Sequence, residues 1–266
     1  MYCLTASTLF AGYSARESWV PVVGHATGFG ARGFYTTVYL TNASRSKNDI
    51  TLSFFASAQP NLAPRSVKLQ LGGNQSGAID IGPQLVGEKG AIGSLQIRGT
   101  GPVIAEARVF SRGPDEPVGS IVGTVLNAIP VQRAIGTGQS TTLRSPSGRY
   151  KLYVAETSDF PLMFAVRADN GAAERRLYLS AHEQRSWDLA ELFPNAHPMA
   201  LRITGINGSG KIVAAGTAIA DQSQDFTAFE MSLPATPRHR VRTAELAAYA
   251  AVALAIAATA IYKMKK

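Results

Sequence analysis

Apolar and polar residues alternate in short segments from residue 19 to residue 234, with Gly-, Pro- and Asn-containing turns between them. A period of two places successive side chains on opposite faces of a strand. No part of this region keeps the 3.6-residue period of an amphipathic helix. The segments recur about every ten residues, as in β-sandwiches and barrels. The predicted strands are 34–41, 50–55, 67–71, 94–98, 103–110, 120–127, 150–155, 162–167, 176–179, 200–204, 212–220 and 226–233.

The same order of segments occurs twice. The pairs are FYTTVYLTN with RYKLYVAET, RSVKLQL with RRLYLSA, AIDIGPQLVG with SWDLAELFPN, SLQIRGTGPVIAEARVFS with ALRITGINGSGKIVAAGTAIAD, and GTVLNAIP with AFEMSLP. Internal repetition of this kind predicts two related units, each with its own core. We therefore predict an all-β fold of two tandem antiparallel β-sandwiches, Ig-like or jelly-roll-like, at 19–130 and 145–234. The predicted linker is 131–144, and the second copy lacks the WVPVVGH opening of the first.

One aspartate recurs at the same place in both copies. Asp80 and Asp188 each follow a short strand and precede a small apolar segment. Asp188 and Glu191 have the spacing of a capping box, in which a carboxylate accepts from free N–H groups at a helix start. We predict that both aspartates cap a single helical turn.

These features resemble the tandem β-sandwich repeat modules of secreted or surface-anchored bacterial proteins. The resemblance covers about residues 19–234. It depends on the strand that closes in Thr41-Asn42, on Asp80 and Asp188, and on the Gly-rich hairpin before a long Val/Ile/Ala strand. It implies display outside the cytoplasm and no active site that could be carried over.

The C-terminal region has a different character. Residues 246–262 are uncharged, and as a helix they would extend ~25 Å, close to the ~30 Å hydrocarbon core of a bilayer. Tyr249 and Tyr262 lie near the two ends, and Arg242 and Lys263 flank the run, as interfacial anchors do. We predict a transmembrane helix at 246–262, with a basic juxtamembrane segment at 235–245 and a basic tail at 263–266. The alternative is an amphipathic helix packed on the body.

The charge pattern favours the membrane as a partner over nucleic acid. The net charge is +8, and most of it lies in the tail that begins at Arg238. Only 17% of the residues are charged, and the body has no basic stripe with interleaved aromatic residues. Residues 1–18 resemble the remnant of a signal segment. We expect the modules outside the cytoplasm and the C-terminus inside.

The motifs that carry chemistry in other proteins favour structural interpretations here. The sequence GFGARG at 28–33 precedes a predicted strand, whereas a dinucleotide site needs a helix there. The sequence GINGSGK at 205–211 lacks the following Ser or Thr of a phosphate-binding loop and is typical of a hairpin turn. The histidines are isolated in sequence. They are His25, His182, His197 and His239. We expect no catalytic residues, no metal and no cofactor.

One pair of residues suggests binding. Tyr35 and Tyr39 share a face of their predicted strand and flank Thr37. The leading functional hypothesis is a non-catalytic, membrane-anchored surface protein used for display, adhesion or assembly with other surface proteins. The first alternative is a carbohydrate- or ligand-binding module that uses exposed aromatic residues. The second is a hydrolase whose site is assembled only in three dimensions.

Overall fold

A computed structural model describes residues 12–29, 32–113, 123–145, 149–169, 174–194, 198–219 and 226–232. The prediction of an all-β, antiparallel fold is confirmed. The helices among the described residues are the single turns α1 (Pro83–Val86) and α2 (Leu189–Leu192) and a 3-10 turn at Val131–Arg133. The strands are β1 (Ser14–Phe29), β2 (Arg32–Asn42), β3 (Asn48–Ala56), β4 (Arg65–Leu71), β5 (Ser76–Asp80), β6 (Ala91–Arg112), β7 (Gly123–Asn127), β8 (Ile129–Pro130), β9 (Ser140–Arg144), β10 (Arg149–Glu156), β11 (Leu162–Ala168), β12 (Arg175–Leu179), β13 (Gln184–Asp188), β14 (Ala200–Gly208), β15 (Ile212–Ile219) and β16 (Phe226–Glu230).

The first half is built around the long strand β6, which turns a corner. Residues 93–99 of β6 pair with β3, and residues 91–98, together with Val103 and Ile104, pair with β1. Residues 103–112 pair with β2, and residues 106–110 pair with β7. The residues at the corner, GTGP, include two glycines and a proline that cannot donate a ladder hydrogen bond. Strand β6 is therefore shared by two sets of paired strands. One set lies in the order β4-β3-β6-β1, and the other lies in the order β5-β2-β6-β7.

The second half repeats this order with two separate sheets. One sheet runs β12-β11-β14-β9 and the other runs β13-β10-β15-β16. Strands β14 and β15 take the places of the two parts of β6, and residues 209–211 lead from one sheet to the other. The hairpin turn expected at 205–211 is therefore a connection between two sheets, since β14 and β15 do not pair with each other. Gly208, the last residue of β14, has φ +119°, a conformation that favours glycine. Each half buries apolar side chains between its two sets of paired strands.

Two predicted boundaries need correction. The predicted linker 131–144 contains β9, which pairs with β14 from Ser140↔Thr204 to Arg144↔Ala200. Strand β9 thus takes the place that β1 has in the first half. The predicted leader 1–18 overlaps β1, which pairs with β6 from Ser14 onward. Pro21 obscured this strand in the sequence, and it lies where the β1–β6 register shifts between Val20 and Val23, an irregularity that tolerates proline.

The expected aspartate caps do not form as predicted. Helix α1 begins after Gly82, so Asp80 does not cap it, and its carboxylate instead accepts a 2.5 Å hydrogen bond from the Thr37 hydroxyl. Asp188 does occupy the N-cap position of α2, but its side chain donates or accepts no capping hydrogen bond there. Its carboxylate lies 3.6 Å from the Lys151 ammonium. Glu191 lies in the first turn of α2 without the reciprocal bond of a capping box.

The predicted membrane segment lies outside the described residues, together with its flanking residues Arg242, Tyr249, Tyr262 and Lys263. Within the described ranges, no helix combines the length and the apolar character that crossing a bilayer requires.

Candidate binding face and the seam between the halves

Tyr35 and Tyr39 lie, as expected, on one face of β2. This face belongs to the outer surface of the paired strands β5-β2-β6-β7. Its side chains form rows across the strands. Tyr35 is opposite Phe110, Thr37 lies between Asp80 and Arg108, and Tyr39 lies between Ala78 and Glu106. Tyr39 is 43% exposed, whereas Tyr35 is half-buried. We call this surface the tyrosine face.

An aromatic and cationic cluster surrounds Tyr35. The His25 ring meets the Tyr35 ring edge-on at 5.0 Å between centroids. The Tyr35 and Phe110 rings stack at 5.8 Å, and the Arg108 guanidinium lies 5.6 Å from the centre of the Phe110 ring. The sequence did not point to these three neighbours of Tyr35, because they belong to β1 and β6 and meet β2 only through strand pairing. The cluster holds the Tyr35 ring in a defined orientation.

Hydrogen-bonding groups lie next to these rings. The exposed Asp80 carboxylate and the Glu106 side chain flank β2 on either side. At the β7 end of the row, the amide groups of Asn127 donate to the Glu230 carboxylate from the second half. Aromatic rings with adjacent carboxylate acceptors can stack on a sugar ring and accept hydrogen bonds from its hydroxyl groups. This is the chemistry of a polyol-binding surface.

A second group of residues forms a seam between the halves. Trp19 and Phe55, from the first half, are buried in the core cluster of the second half. Tyr153 and Ala215, from the second half, are buried in the cluster of the first. The Trp19 and Phe55 rings lie 4.8 Å apart. The two cores therefore interlock, and this departs from the expectation that each half buries its own core alone.

His182 closes the seam from the second half. Its ring lies 5.3 Å from Phe55 and 6.3 Å from Trp19, and its backbone has φ +55°. The His182 carbonyl accepts a hydrogen bond from Asn61, and a parallel bridge joins Ser57 to Gln184. These contacts, one from the Asn61 side chain and one between backbones, fix the second half to the loop after β3.

Among the described residues, no serine hydroxyl forms a hydrogen bond with the His182 ring. Its Nε2 atom lies 2.8 Å from the exposed Asp159 carboxylate, and its buried Nδ1 atom has no hydrogen-bond partner among the described residues. The nearby Ser158 hydroxyl donates to Glu156. His25 belongs to the tyrosine face, while His197 and His239 lie outside the described residues.

The glycine motifs lie at strand ends. The first spans the end of β1 and the start of β2, which pair at Phe29↔Arg32, and the second spans the end of β14 and the residues that lead to β15. Among the residues that the structure describes, no group of three His, Cys, Asp or Glu side chains could hold a metal ion.

Comparison with protein-family models gives no match, and comparison with curated proteins gives none either.

Proposed function

We propose that this chain is a non-catalytic, membrane-anchored surface protein that presents two joined β-sandwich modules for display, adhesion or assembly. The observation that carries the proposal is the interlocked seam. Trp19 and Phe55 are almost fully buried in the core of the other half. Burying a large aromatic side chain stabilises a fold by roughly 2–3 kcal/mol, so the halves resist separation. A rigid pair of modules keeps its outer faces in a constant arrangement, as display or adhesion requires.

The anchor is proposed at residues 246–262, with the modules outside the cytoplasm and Lys266 inside. The uncharged length of this segment, its terminal tyrosines and its basic flanks support that assignment. Ig-like or jelly-roll-like modules of bacterial surface proteins remain the proposed family type.

Protease treatment of intact cells tests the topology. Full-length protein with an epitope after Lys266 should lose its body to external protease and keep a small membrane-bound tail. A variant that ends at residue 234 should no longer sediment with membranes. A body that stays intact in whole cells but is digested after lysis would contradict the proposed orientation, and sedimentation of the shortened variant would contradict the anchor.

A carbohydrate-binding role is the second candidate, and the ordered aromatic cluster on the tyrosine face favours it. A glycan array probed with residues 12–234 tests this role, because a fragment starting at residue 19 would truncate β1. The substitutions Tyr35→Ala and Tyr39→Ala should abolish any signal. Phe160→Ala removes a 56% exposed ring from the loop between β10 and β11, in the other half, and should not. A blank array with the unaltered fragment would count against this role.

A further inference from the structure

A shallow basin of about 270 Å³ lies on the outer face of the β12-β11-β14-β9 sheet. Arginines from three different strands line it: Arg167 on β11, Arg176 on β12 and Arg202 on β14. Ala165 forms its floor, since this residue is opposite both Arg176 and Thr204 and has only a methyl group. We call this surface the arginine basin.

The arrangement of charges is unfavourable for the isolated fold. Arg167 and Arg202 are direct cross-strand partners, and like charges in that position destabilise a sheet. All three arginines are exposed. The guanidinium of Arg176 lies 3.3 Å from the Glu174 carboxylate. No hydrogen bond or ion pair between described residues satisfies the guanidinium groups of Arg167 and Arg202. A bound anion would relieve this repulsion.

We infer that the arginine basin binds an acidic polysaccharide through carboxylates on neighbouring sugar rings. Guanidinium groups match carboxylates in shape and form paired, charge-assisted hydrogen bonds with them. Arg167 and Arg202 lie on adjacent strands, whose separation is about 4.8 Å. Arg176 lies one row farther along, so the three groups can contact two successive acidic sugars.

The rest of the face suits a sugar chain better than a lipid surface or a nucleic acid. The Ser140 and Thr204 hydroxyls lie on the same face, 2.9 Å apart, and can exchange hydrogen bonds with sugar hydroxyls. Tyr178 is 52% exposed one row beyond Arg176 and offers a ring for stacking. A single compact basin with Glu174 at its rim is too short for the extended basic track that nucleic acids need.

This inference does not depend on the proposed membrane anchor or on the tyrosine face. Full-length protein in mild detergent would be titrated with oligogalacturonate and, as a neutral control, with the fully methyl-esterified oligomer, using calorimetry. We expect binding to the acidic oligomer only, weakening at higher salt. Arg167→Gln and Arg202→Gln should each weaken it on the order of tenfold, because each removes a charge-assisted pair. Glu174→Gln should strengthen it.

Two further variants separate a shaped site from general basicity. Arg65→Gln with Lys68→Gln removes two exposed positive charges from β4, and should leave binding unchanged. Ala165→Leu fills the floor without altering charge, and should weaken binding. Circular dichroism would establish that each variant is folded. Absence of binding by the unaltered protein, equal binding of both oligomers, or equal effects of the β4 and basin substitutions would overturn the inference. Tighter binding of polyphosphate or of anionic lipid vesicles than of oligogalacturonate would also overturn the choice of ligand.

Discussion

Asn42 and Glu156 occupy equivalent positions in the two halves and perform the same task with different chemistry. Each is the last residue of its strand, and each is completely buried. The backbone and hydroxyl of Ser44 donate to the Asn42 Oδ1 atom at 3.0 and 2.8 Å. The backbone and hydroxyl of Ser158 donate to the Glu156 carboxylate at 2.8 and 2.6 Å. Both side chains therefore fix the loop that leads into the next strand.

The two side chains also reach the neighbouring loops. The Asn42 amide donates to the Gly72 carbonyl at 2.7 Å, in the loop before β5. Glu156 accepts from the backbone N–H groups of His182 and Lys211, each at 2.9 Å, in the loop before β13 and in the connection from β14 to β15. Each half thus has one buried polar residue that joins several chain segments.

Replacement of Asn42 by alanine should destabilise the protein strongly. The substitution removes the acceptor of the Ser44 N–H and hydroxyl and the donor to the Gly72 carbonyl, which keeps only its longer bond from the Gln75 N–H. Each lost hydrogen bond costs about 0.5–1.5 kcal/mol. We expect a loss of about 3 kcal/mol in the free energy of unfolding, measured by urea denaturation. Asn207→Ala, at an exposed position, should change it by less than about 0.5 kcal/mol. A similar effect of the two substitutions would show that the Asn42 contacts contribute little.

Glu156 should make stability depend on pH. Burial raises the pKa of its carboxyl above the ordinary 4.5, although four hydrogen-bond donors act in the opposite direction. The folded protein then holds this proton more tightly than the unfolded chain does. The free energy of unfolding should consequently fall as pH rises from about 4.5 through the raised pKa.

Glu156→Gln isolates this contribution. The variant should be less stable than the unaltered protein, by about 2–3 kcal/mol at low pH, since an amide nitrogen cannot accept from the N–H groups. The difference in the free energy of unfolding between the unaltered protein and the variant should become smaller as pH rises. Urea denaturation at several pH values would measure it, and a constant difference would contradict the raised pKa.

The two halves should unfold together. The chain has two tryptophans, Trp19 at the seam and Trp187 on β13. Trp19→Phe leaves Trp187 as the fluorescent reporter, and Trp187→Phe leaves Trp19. In each variant, the fluorescence midpoint in urea should equal the midpoint from far-ultraviolet circular dichroism, because the interlocked cores couple the halves. Different fluorescence and circular dichroism midpoints would mean that the two halves unfold independently in spite of the seam.

The end of β14 should depend on the glycine at residue 208. A Cβ atom there would lie 2.4 Å from the Pro161 carbonyl oxygen, and φ is +119°. Gly138 also has a positive φ, +78°, but a Cβ atom there would meet nothing within 4 Å. We expect Gly138→Ala to cost about 1 kcal/mol and Gly208→Ala about 3 kcal/mol, from strain and overlap together. Thermal unfolding would compare them, and equal costs would refute the close contact.

The sequence alone determined the strand content of the chain, because the period of two is a local property of neighbouring residues. Matched segments also indicated the repeat. In the structure, β2 has the same place in the first half as β10 has in the second, and β4 corresponds to β12 in the same way. Local pattern likewise put Tyr35 and Tyr39 on one face. Strands β1 and β9 were missed, since Pro21 interrupts the pattern of β1 and the polar segment STTLR of β9 resembles a loop.

Only the tertiary structure decided which distant residues meet. Trp19 enters the core of the other half, and Arg167, Arg176 and Arg202 converge on one face, because strand register and packing bring together positions far apart in the chain. The same applies to Asp80, whose carboxylate bonds to Thr37 on the neighbouring strand instead of to the helical turn beside it in sequence. Cross-strand contacts depend on register, and register is set by the whole sheet and by no single segment.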